Sequence, residues 1–209
     1  MRTLKTWVAA AAIVALTGAA HAASVFQGRL ANGTASTTCT VSGLDKCAMF
    51  YNTTLDITIL NDWNIGRGFW SATAAAGSAQ ALAESAGAAQ TDFTGWFLPT
   101  GDGLQAVGAL NQYAYIWNDV GGSLGGLRAQ FDGVQSTDYW SGTEHAAFLG
   151  YAWYFYTGGD QFYRYQLNPL YAVAVRPGDV AAAIPEPQTY ALMLMGLGAV
   201  LLARRKRTR

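Results

Sequence analysis

FLGYAWYFYTGGDQFYRYQLNPLYAVAVRP, residues 148–177, is the stretch that decides the fold of this chain. It is dense in aromatic and β-branched residues, which favour strands. Gly158-Gly159 separates its first two aromatic runs, and a glycine pair in that place predicts a β-hairpin with a two-residue turn. The third run, YAVAVRP, predicts another strand. A run of strands, the first two joined as a hairpin, is therefore expected over this stretch.

The predicted turn also assigns each hairpin side chain to a face. With a two-residue turn Thr157 lies opposite Asp160, and side chains alternate between the two faces. The core face then collects Trp153, Phe155 and Phe162. Arg164 lies over Trp153 on that face as a cation–π partner. The opposite face collects the candidate ligand-binding residues, which are Tyr154, Tyr156, Gln161, Tyr163 and Tyr165. Burial of these tyrosines beneath a neighbouring element is the alternative interpretation.

Upstream of the hairpin, shorter patterns predict two strands and a helix. Residues 24–30 indicate an edge strand. Residues 51–60, YNTTLDITIL, alternate apolar and polar side chains as a half-buried strand does. The alanine-rich residues 70–90 contain few helix breakers and predict the first helix.

A second helix is predicted from Gly103 to Trp117, with Thr100 or Asp102 as its N-cap. Its apolar stripe consists of Leu104, Val107, Leu110 and Ala114. The glycine-rich residues 121–126 predict a mobile loop.

The N-terminal residues have the pattern of a secretory signal. Arg2 and Lys5 precede an apolar run, and Ala20-His21-Ala22 forms an A-x-A cleavage pattern. Residues 1–22 are therefore predicted to be a signal peptide that is removed on export.

The C-terminal residues form three parts in order. A linker, residues 181–189, contains Pro185-Glu186-Pro187; an apolar span, residues 190–203, and a basic tail, residues 204–209, follow it. A helix over that span is about 21 Å long, short of a bilayer core of about 30 Å. The order resembles the PEP-CTERM sorting signal, which implies exosortase, a membrane protease, as partner and only transient residence in the inner membrane.

The mature region between these two ends is acidic and contains both cysteines. Between residues 23 and 184 there are six basic residues against twelve acidic ones, a net charge of −6. Such a balance argues against a nucleic-acid partner, which requires a basic footprint. Cys39 and Cys47 are the two cysteines, and export favours a disulfide between them.

Several fragments resemble one known family when they are taken in order. They are WFLPT at 96–100, FDGVQSTDYWSGTE at 131–144, Ala152-Trp153 and AVRP at 174–177. This order is similar to the Lcl C-terminal-like domain of unknown function. The resemblance covers about residues 50–180. It implies a C-type-lectin-like α+β fold, with two helices beside a twisted antiparallel sheet and the domain ends close together.

The same resemblance implies one ion pair, and the chain differs from the family pattern at two positions. Arg176 and Glu144 match the family pattern and are expected to pair across the core. Phe97 and Gly142 stand where the family has an arginine and a serine. The domains predicted are thus an N-terminal segment over residues 23–50 and a lectin-like domain over residues 51–180.

Residues with catalytic or metal-binding chemistry are few. His145 is the single histidine of the mature region and lies near Ser141, but the local pattern is not a nucleophile elbow. Trp117-Asn118-Asp119 spells a calcium-ligand motif of sugar-binding lectins, yet it ends a predicted helix, where Asn118 suits a C-cap. Calcium also requires six to eight oxygen ligands. No catalytic residue, metal or cofactor is therefore predicted.

These patterns predict an exported, non-enzymatic protein of the cell surface or extracellular matrix that binds glycan or exopolysaccharide. A structural matrix component without a defined ligand is the first alternative. An enzyme related to formylglycine-generating enzymes is the second, and the position of both cysteines before the matching region argues against it.

Overall fold

A computed structural model describes residues 25–103 and 111–183. Within these two ranges the chain forms ten β-strands, three α-helices and a closing 3₁₀ helix. In chain order they are β1 (Phe26–Arg29), β2 (Ala35–Ser36), β3 (Met49–Asn52), β4 (Ile57–Leu60), β5 (Arg67–Gly68), α1 (Ala79–Gln90), α2 (Gln112–Asp119), α3 (Leu124–Gln130), β6 (Asp138–Glu144), β7 (Tyr151–Tyr156), β8 (Gln161–Tyr165), β9 (Leu170–Tyr171), β10 (Val175–Pro177) and the 3₁₀ helix Val180–Ala183. The predicted signal peptide, the Pro-Glu-Pro motif, the apolar span and the basic tail lie outside the described residues.

The first sheet joins the two ends of the described chain. Its strand order is β10-β4-β3-β1-β2, and every neighbouring pair is antiparallel. Arg29 at the end of β1 forms an ion pair of 2.6 Å with Asp179, just after β10. Its guanidinium also donates to the Gly28 carbonyl and to Gln27, so a buried charge is almost fully hydrogen-bonded. This cluster links β1 to the segment that follows β10.

The second sheet carries the aromatic hairpin. Its order is β5-β9-β6-β7-β8, antiparallel except for a single parallel pairing of β6 with β9. With three helices and two sheets, the described residues have an α+β architecture.

Phe131, which follows α3, is the centre of the larger hydrophobic core. Its ring stacks on Trp63 at 4.8 Å and meets Phe26 and Phe50 edge-on at 5.5 and 5.9 Å. Because these partners come from β1, β3 and the segment after β4, one ring connects α3 to the first sheet. A second core surrounds Trp96 and Trp140.

Helix α1 is fastened to the extended WFLPT segment by both packing and hydrogen bonds. The Gln80 side chain donates to the Trp96 carbonyl at 2.9 Å and accepts from the Leu98 amide at 3.3 Å. A side chain at Gly87 would overlap the Trp96 indole, so only glycine permits this close approach. The small residues of α1 therefore let a tryptophan lie directly against the helix.

Two strand predictions were wrong in detail. The stretch 51–60 is not one half-buried strand: a turn at residues 53–56 separates β3 from β4, and all four residues of β4 are buried. The turn forms because the Asn52 side chain accepts from the Thr54 and Leu55 amides. The strand predicted at 24–30 is present as β1, but β2 and not β1 occupies the edge. The predicted domain boundary at residue 50 falls inside β3.

Three helix predictions were also wrong in detail. Helix α1 begins at Ala79 and not near residue 70, because Ser78 caps it through its side chain. The N-cap of α2 is Asn111, in place of Thr100 or Asp102, and the predicted stripe residues Leu104, Val107 and Leu110 lie outside the described residues. Residues 124–130 form the third helix, capped by Ser123, although the first three of them were predicted to belong to a mobile loop.

Candidate functional site

The hairpin of β7 and β8 is present, but its register differs by one residue from the predicted one. Trp153 lies opposite Tyr163, and Phe155 lies opposite Gln161. The Tyr156 amide donates to the Asp160 carbonyl at 2.8 Å, so residues 157–159 form a three-residue loop. Gly159 has a φ of 104°, the left-handed conformation that closes such a loop.

Long-range contacts of Thr157 explain why the shorter turn does not form. This residue is buried; its amide donates to the Thr137 carbonyl at 3.2 Å, and its hydroxyl accepts from the Thr137 amide at 3.1 Å. The Trp117 indole lies against Gly159, leaving no room for a side chain there. The loop is thus held by residues before β6 and at the end of α2.

A one-residue shift moves every side chain of one strand to the other face. The predicted tyrosine face is therefore divided, and that face assignment was wrong. Gln161, Tyr163 and Tyr165 share a face with Trp153 and Tyr151. Tyr154 and Tyr156 share the opposite face with Phe162 and Arg164.

The inner end of the first face belongs to the core. Phe155 stacks on Tyr113 of α2 at 4.9 Å. Gln161, predicted to bind ligand, is 3% exposed; its amide group donates to Asn111 at 3.0 Å and accepts from the Asp102 amide at 3.0 Å. Gln161 therefore connects β8 to the start of α2 and is not part of the exposed surface.

The outer end of the first face is an aromatic surface, which we call the aromatic platform. It consists of His145, Phe148, Tyr151, Trp153, Tyr163 and Tyr165. The Tyr163 ring lies 4.4 Å from His145, 5.3 Å from Phe148 and meets Trp153 edge-on at 5.6 Å. Phe148, Tyr163 and Tyr165 are 49%, 44% and 47% exposed. Mutual ring contacts thus hold in place side chains whose outer surfaces face solvent.

His145 supports this platform from the loop between β6 and β7. Its Nδ1 accepts from the amides of Ala147 and Phe148 at 3.2 and 3.0 Å, which orients the imidazole and closes the loop. Ser141, its neighbour in sequence, is buried and donates through its hydroxyl to the Trp153 carbonyl at 2.9 Å. Phe148 and His145 were not predicted as site residues, because their role depends on a loop that folds back over β8.

The second face of the hairpin has a mixed aromatic and charged surface. Arg164 lies 5.1 Å above the Tyr154 ring and forms an ion pair of 2.9 Å with Asp138. The predicted contact of Arg164 with Trp153 was therefore wrong, because the two residues point to opposite faces. Burial raises the pKa of Asp138, and the neighbouring Arg164 opposes part of that rise. Phe162, predicted to be core, is 53% exposed on this face.

Two predictions from the sequence motifs were also wrong: the ion pair between Arg176 and Glu144, and the helix C-cap at Asn118. Arg176 and Glu144 do not pair: the Arg176 guanidinium lies over the Phe93 ring at 5.1 Å, while Glu144 accepts from Gln166 at 3.1 Å. Each side chain thus has a different partner, and the expected ion pair across the core is not formed.

The Trp117-Asn118-Asp119 triplet lies in the last turn of α2. The helix C-cap is Val120 and not Asn118. Asp119 accepts a hydrogen bond of 2.8 Å from Asn52. Among the residues that the structure describes, no group of three or more His, Cys, Asp or Glu side chains is placed to hold a metal ion.

The predicted disulfide is confirmed. Cys39 and Cys47 are bonded, with their Cα atoms 5.0 Å apart. The bond lies directly against Gly28 of β1, where an added Cβ would be 2.7 Å from each sulfur. The disulfide therefore holds the long connection between β2 and β3 against the first sheet.

The C-terminal sorting signal is confirmed by comparison with known families. Residues 183–207 match the PEP-CTERM protein-sorting motif, and Pro185-Glu186-Pro187 lies within that match. Neither a curated protein nor a solved structure matches the chain. Across residues 25–103 and 111–183, no helix is long and apolar enough to cross a membrane. The motif indicates an exported protein that is anchored in the membrane during sorting and processed by an exosortase.

Proposed function

We propose that this protein is a non-enzymatic component of the cell surface or extracellular matrix that binds glycan or exopolysaccharide through the aromatic platform. The observation that carries the proposal is the exposure of Phe148, Tyr163 and Tyr165 beside one another on one face of the hairpin. Exposed apolar clusters of this kind mark interaction sites.

The chemistry of the platform suits a sugar surface. Tyrosine rings offer flat apolar faces to the C–H groups of a pyranose, and their hydroxyls can exchange hydrogen bonds with sugar hydroxyls at a wet surface. Tyr163 and Tyr165 are two residues apart on one strand face, which separates their rings by roughly 7 Å along the strand. Together with Tyr151, opposite Tyr165, they form a strip along which an extended polymer can lie.

Charge narrows the class of polysaccharide. The platform residues include no lysine or arginine, and the mature region has six basic residues against twelve acidic ones. A polymer with many carboxylate or sulfate groups would be repelled by this balance. A neutral polysaccharide is therefore the proposed ligand.

A C-type-lectin-like fold is part of the same proposal. Its support is the α+β architecture with β10 paired to β4, and the ion pair between Arg29 and Asp179 that brings the two ends of the described residues together. The non-enzymatic assignment is supported by the disulfide, which occupies both cysteine thiols. An enzyme of the formylglycine-generating type would need reactive thiols.

The platform is tested with exopolysaccharide isolated from the producing bacterium and cast into an affinity electrophoresis gel. Replacing Tyr163 and Tyr165 together by alanine should abolish retardation of the exported chain. Because both rings are about half exposed, the near-UV circular dichroism outside the tyrosine bands and the melting temperature should change little.

The matched control is Tyr156→Ala, which removes a 39% exposed tyrosine from the opposite face and should leave retardation unchanged. Equal retardation of the wild type and the double variant would refute the platform as the binding site. A wild-type chain that is retarded by no polysaccharide would favour the structural matrix component instead.

Export and processing are tested in the native host. If an exosortase acts at the sorting motif, mass spectrometry of the released protein should find no peptide from residues 190–209. Recovery of the intact C-terminus from surface protein would contradict cleavage.

A further inference from the structure

The outer edge of β8 differs from the other sheet edges of the described residues. Strands β2 and β5 are edges of only two residues each, and β10 is covered by Phe97, whose amide and carbonyl both bond to Val175 at 2.8 and 2.9 Å. Strand β8 has five residues, four of them exposed. Proteins usually shorten, charge or cover such edges to prevent pairing with another chain.

The main chain of β8 offers free hydrogen-bonding groups at this edge. The Tyr156 amide bonds to the Asp160 carbonyl and the Gln166 amide to the Gly150 carbonyl, both at 2.8 Å, so the hydrogen-bonded rungs of the hairpin fall at even-numbered residues. Tyr163 therefore directs its amide and carbonyl away from β7. Within the described part of the chain neither group has a backbone partner.

We propose that β8 pairs with β8 of a second copy of this chain, antiparallel and centred on Tyr163. A two-fold axis at Tyr163 places this residue opposite itself in a hydrogen-bonded rung and joins the two five-stranded sheets into one. The Tyr165 carbonyl already accepts from Asn168, at 3.0 Å from its amide and 2.8 Å from its side chain. Gln161, which this register places opposite Tyr165 of the second copy, is 3% exposed and cannot pair. The pairing is therefore limited to the Tyr163 rung, with about two main-chain hydrogen bonds.

The side chains of β8 are complementary in this register. Phe162 of one copy lies opposite Arg164 of the other, in a non-hydrogen-bonded rung where side chains approach most closely. Each such contact is a cation–π pair, and the symmetry provides two of them. Asp138 pairs with Arg164 at 2.9 Å within each copy, which reduces the repulsion between the two guanidinium groups across the axis.

The interface is small, and the association should therefore be reversible and dependent on concentration. Self-association of this kind suits a protein that accumulates in a matrix. It leaves the outward faces of the aromatic platform on both copies open, because pairing extends the sheet sideways.

Sedimentation velocity of the exported chain over a concentration series tests the pairing. The wild type should move from monomer toward dimer as its concentration rises. Tyr163→Pro should remain monomeric at every concentration, because it removes the central outward amide; its fold should persist, because that amide does not serve the hairpin. A wild type that stays monomeric, or a Tyr163→Pro variant that still dimerises while folded, would overturn the proposal.

A pair of charge variants at Phe162 tests the register. Phe162→Lys places like charges opposite Arg164 of the second copy and should raise the dimer dissociation constant at least tenfold, whereas Phe162→Glu should leave it unchanged or lower it. If only general repulsion between negatively charged chains mattered, Phe162→Glu would weaken the dimer more than Phe162→Lys. That result, or equal dissociation constants for the two variants, would refute this register. Phe162 lies on the face opposite the platform, so loss of dimer with retained polysaccharide binding separates this proposal from the proposed function.

Discussion

Replacing Asp179 by asparagine should lower the free energy of unfolding by about 2–3 kcal/mol. The carboxylate accepts from Nε and Nη2 of Arg29 at 2.8 and 2.6 Å, and the Arg29 side chain is 4% exposed. Asparagine keeps the shape but turns one acceptor into a donor, so it costs about one charge-assisted hydrogen bond, roughly 1.5–3 kcal/mol. It also leaves a buried cation without its counter-charge, and such losses reach about 3–5 kcal/mol. Partial exposure of Asp179, at 20%, limits the total.

The pH dependence of this effect follows from the pKa of Asp179. Burial acts to raise this pKa, but hydrogen bonds from Arg29 and from the Ala181 amide outweigh burial and hold the pKa below its usual value. Because folding lowers the pKa, the ionised carboxylate contributes stability that is complete above its unfolded pKa of about 3.9 and is lost as the pH falls through the folded value. The difference between wild type and variant should thus be constant from pH 7 to about pH 5 and shrink below about pH 4.

Thermal unfolding followed by circular dichroism measures the effect. A domain of this size loses about 2–4 °C in melting temperature per kcal/mol, so the variant should melt about 4–12 °C lower at pH 7. Asp132→Asn is the matched control, because it breaks an exposed ion pair with Lys46 of 3.1 Å and should cost under about 1 kcal/mol. Equal melting temperatures for wild type and Asp179→Asn at pH 7, or a difference that grows toward pH 3, would refute the reasoning.

Two further predictions test the hairpin register and the core. Cysteines at 153 and 163 should form a disulfide on air oxidation, because Trp153 lies opposite Tyr163. Cysteines at 153 and 164 should not, because those side chains point to opposite faces. Peptide mapping without reductant distinguishes the two variants, and a bond found only between 153 and 164 would show that the turn has two residues. Phe131→Ala should lower the free energy of unfolding by about 3–5 kcal/mol, because it leaves a cavity between three aromatic rings. Urea titration measures this loss, and a loss under about 1 kcal/mol would show that the core tolerates the cavity.

Local patterns in the sequence were sufficient for features that depend on neighbouring residues. The sorting motif at the C-terminus is read from a short ordered segment, and residues 183–207 match it. The disulfide followed from the presence of just two cysteines in an exported chain. The hairpin and α1 were predicted because residue preference and glycine punctuation act over a few positions.

Tertiary contacts decided the features on which the candidate site depends. A two-residue and a three-residue turn at Gly158-Gly159 are both compatible with the local sequence, and the choice depends on Thr157 binding Thr137 and on Trp117 covering Gly159. That choice shifts the register by one residue and so decides which tyrosines share a face. Segment 124–130 is helical because Leu127 is buried in the core near Phe131, a long-range gain that outweighs the low helix propensity of its glycines. The sequence by itself thus determined that the chain has an aromatic hairpin; packing against α2 and the segment before β6 determined which of its side chains face solvent.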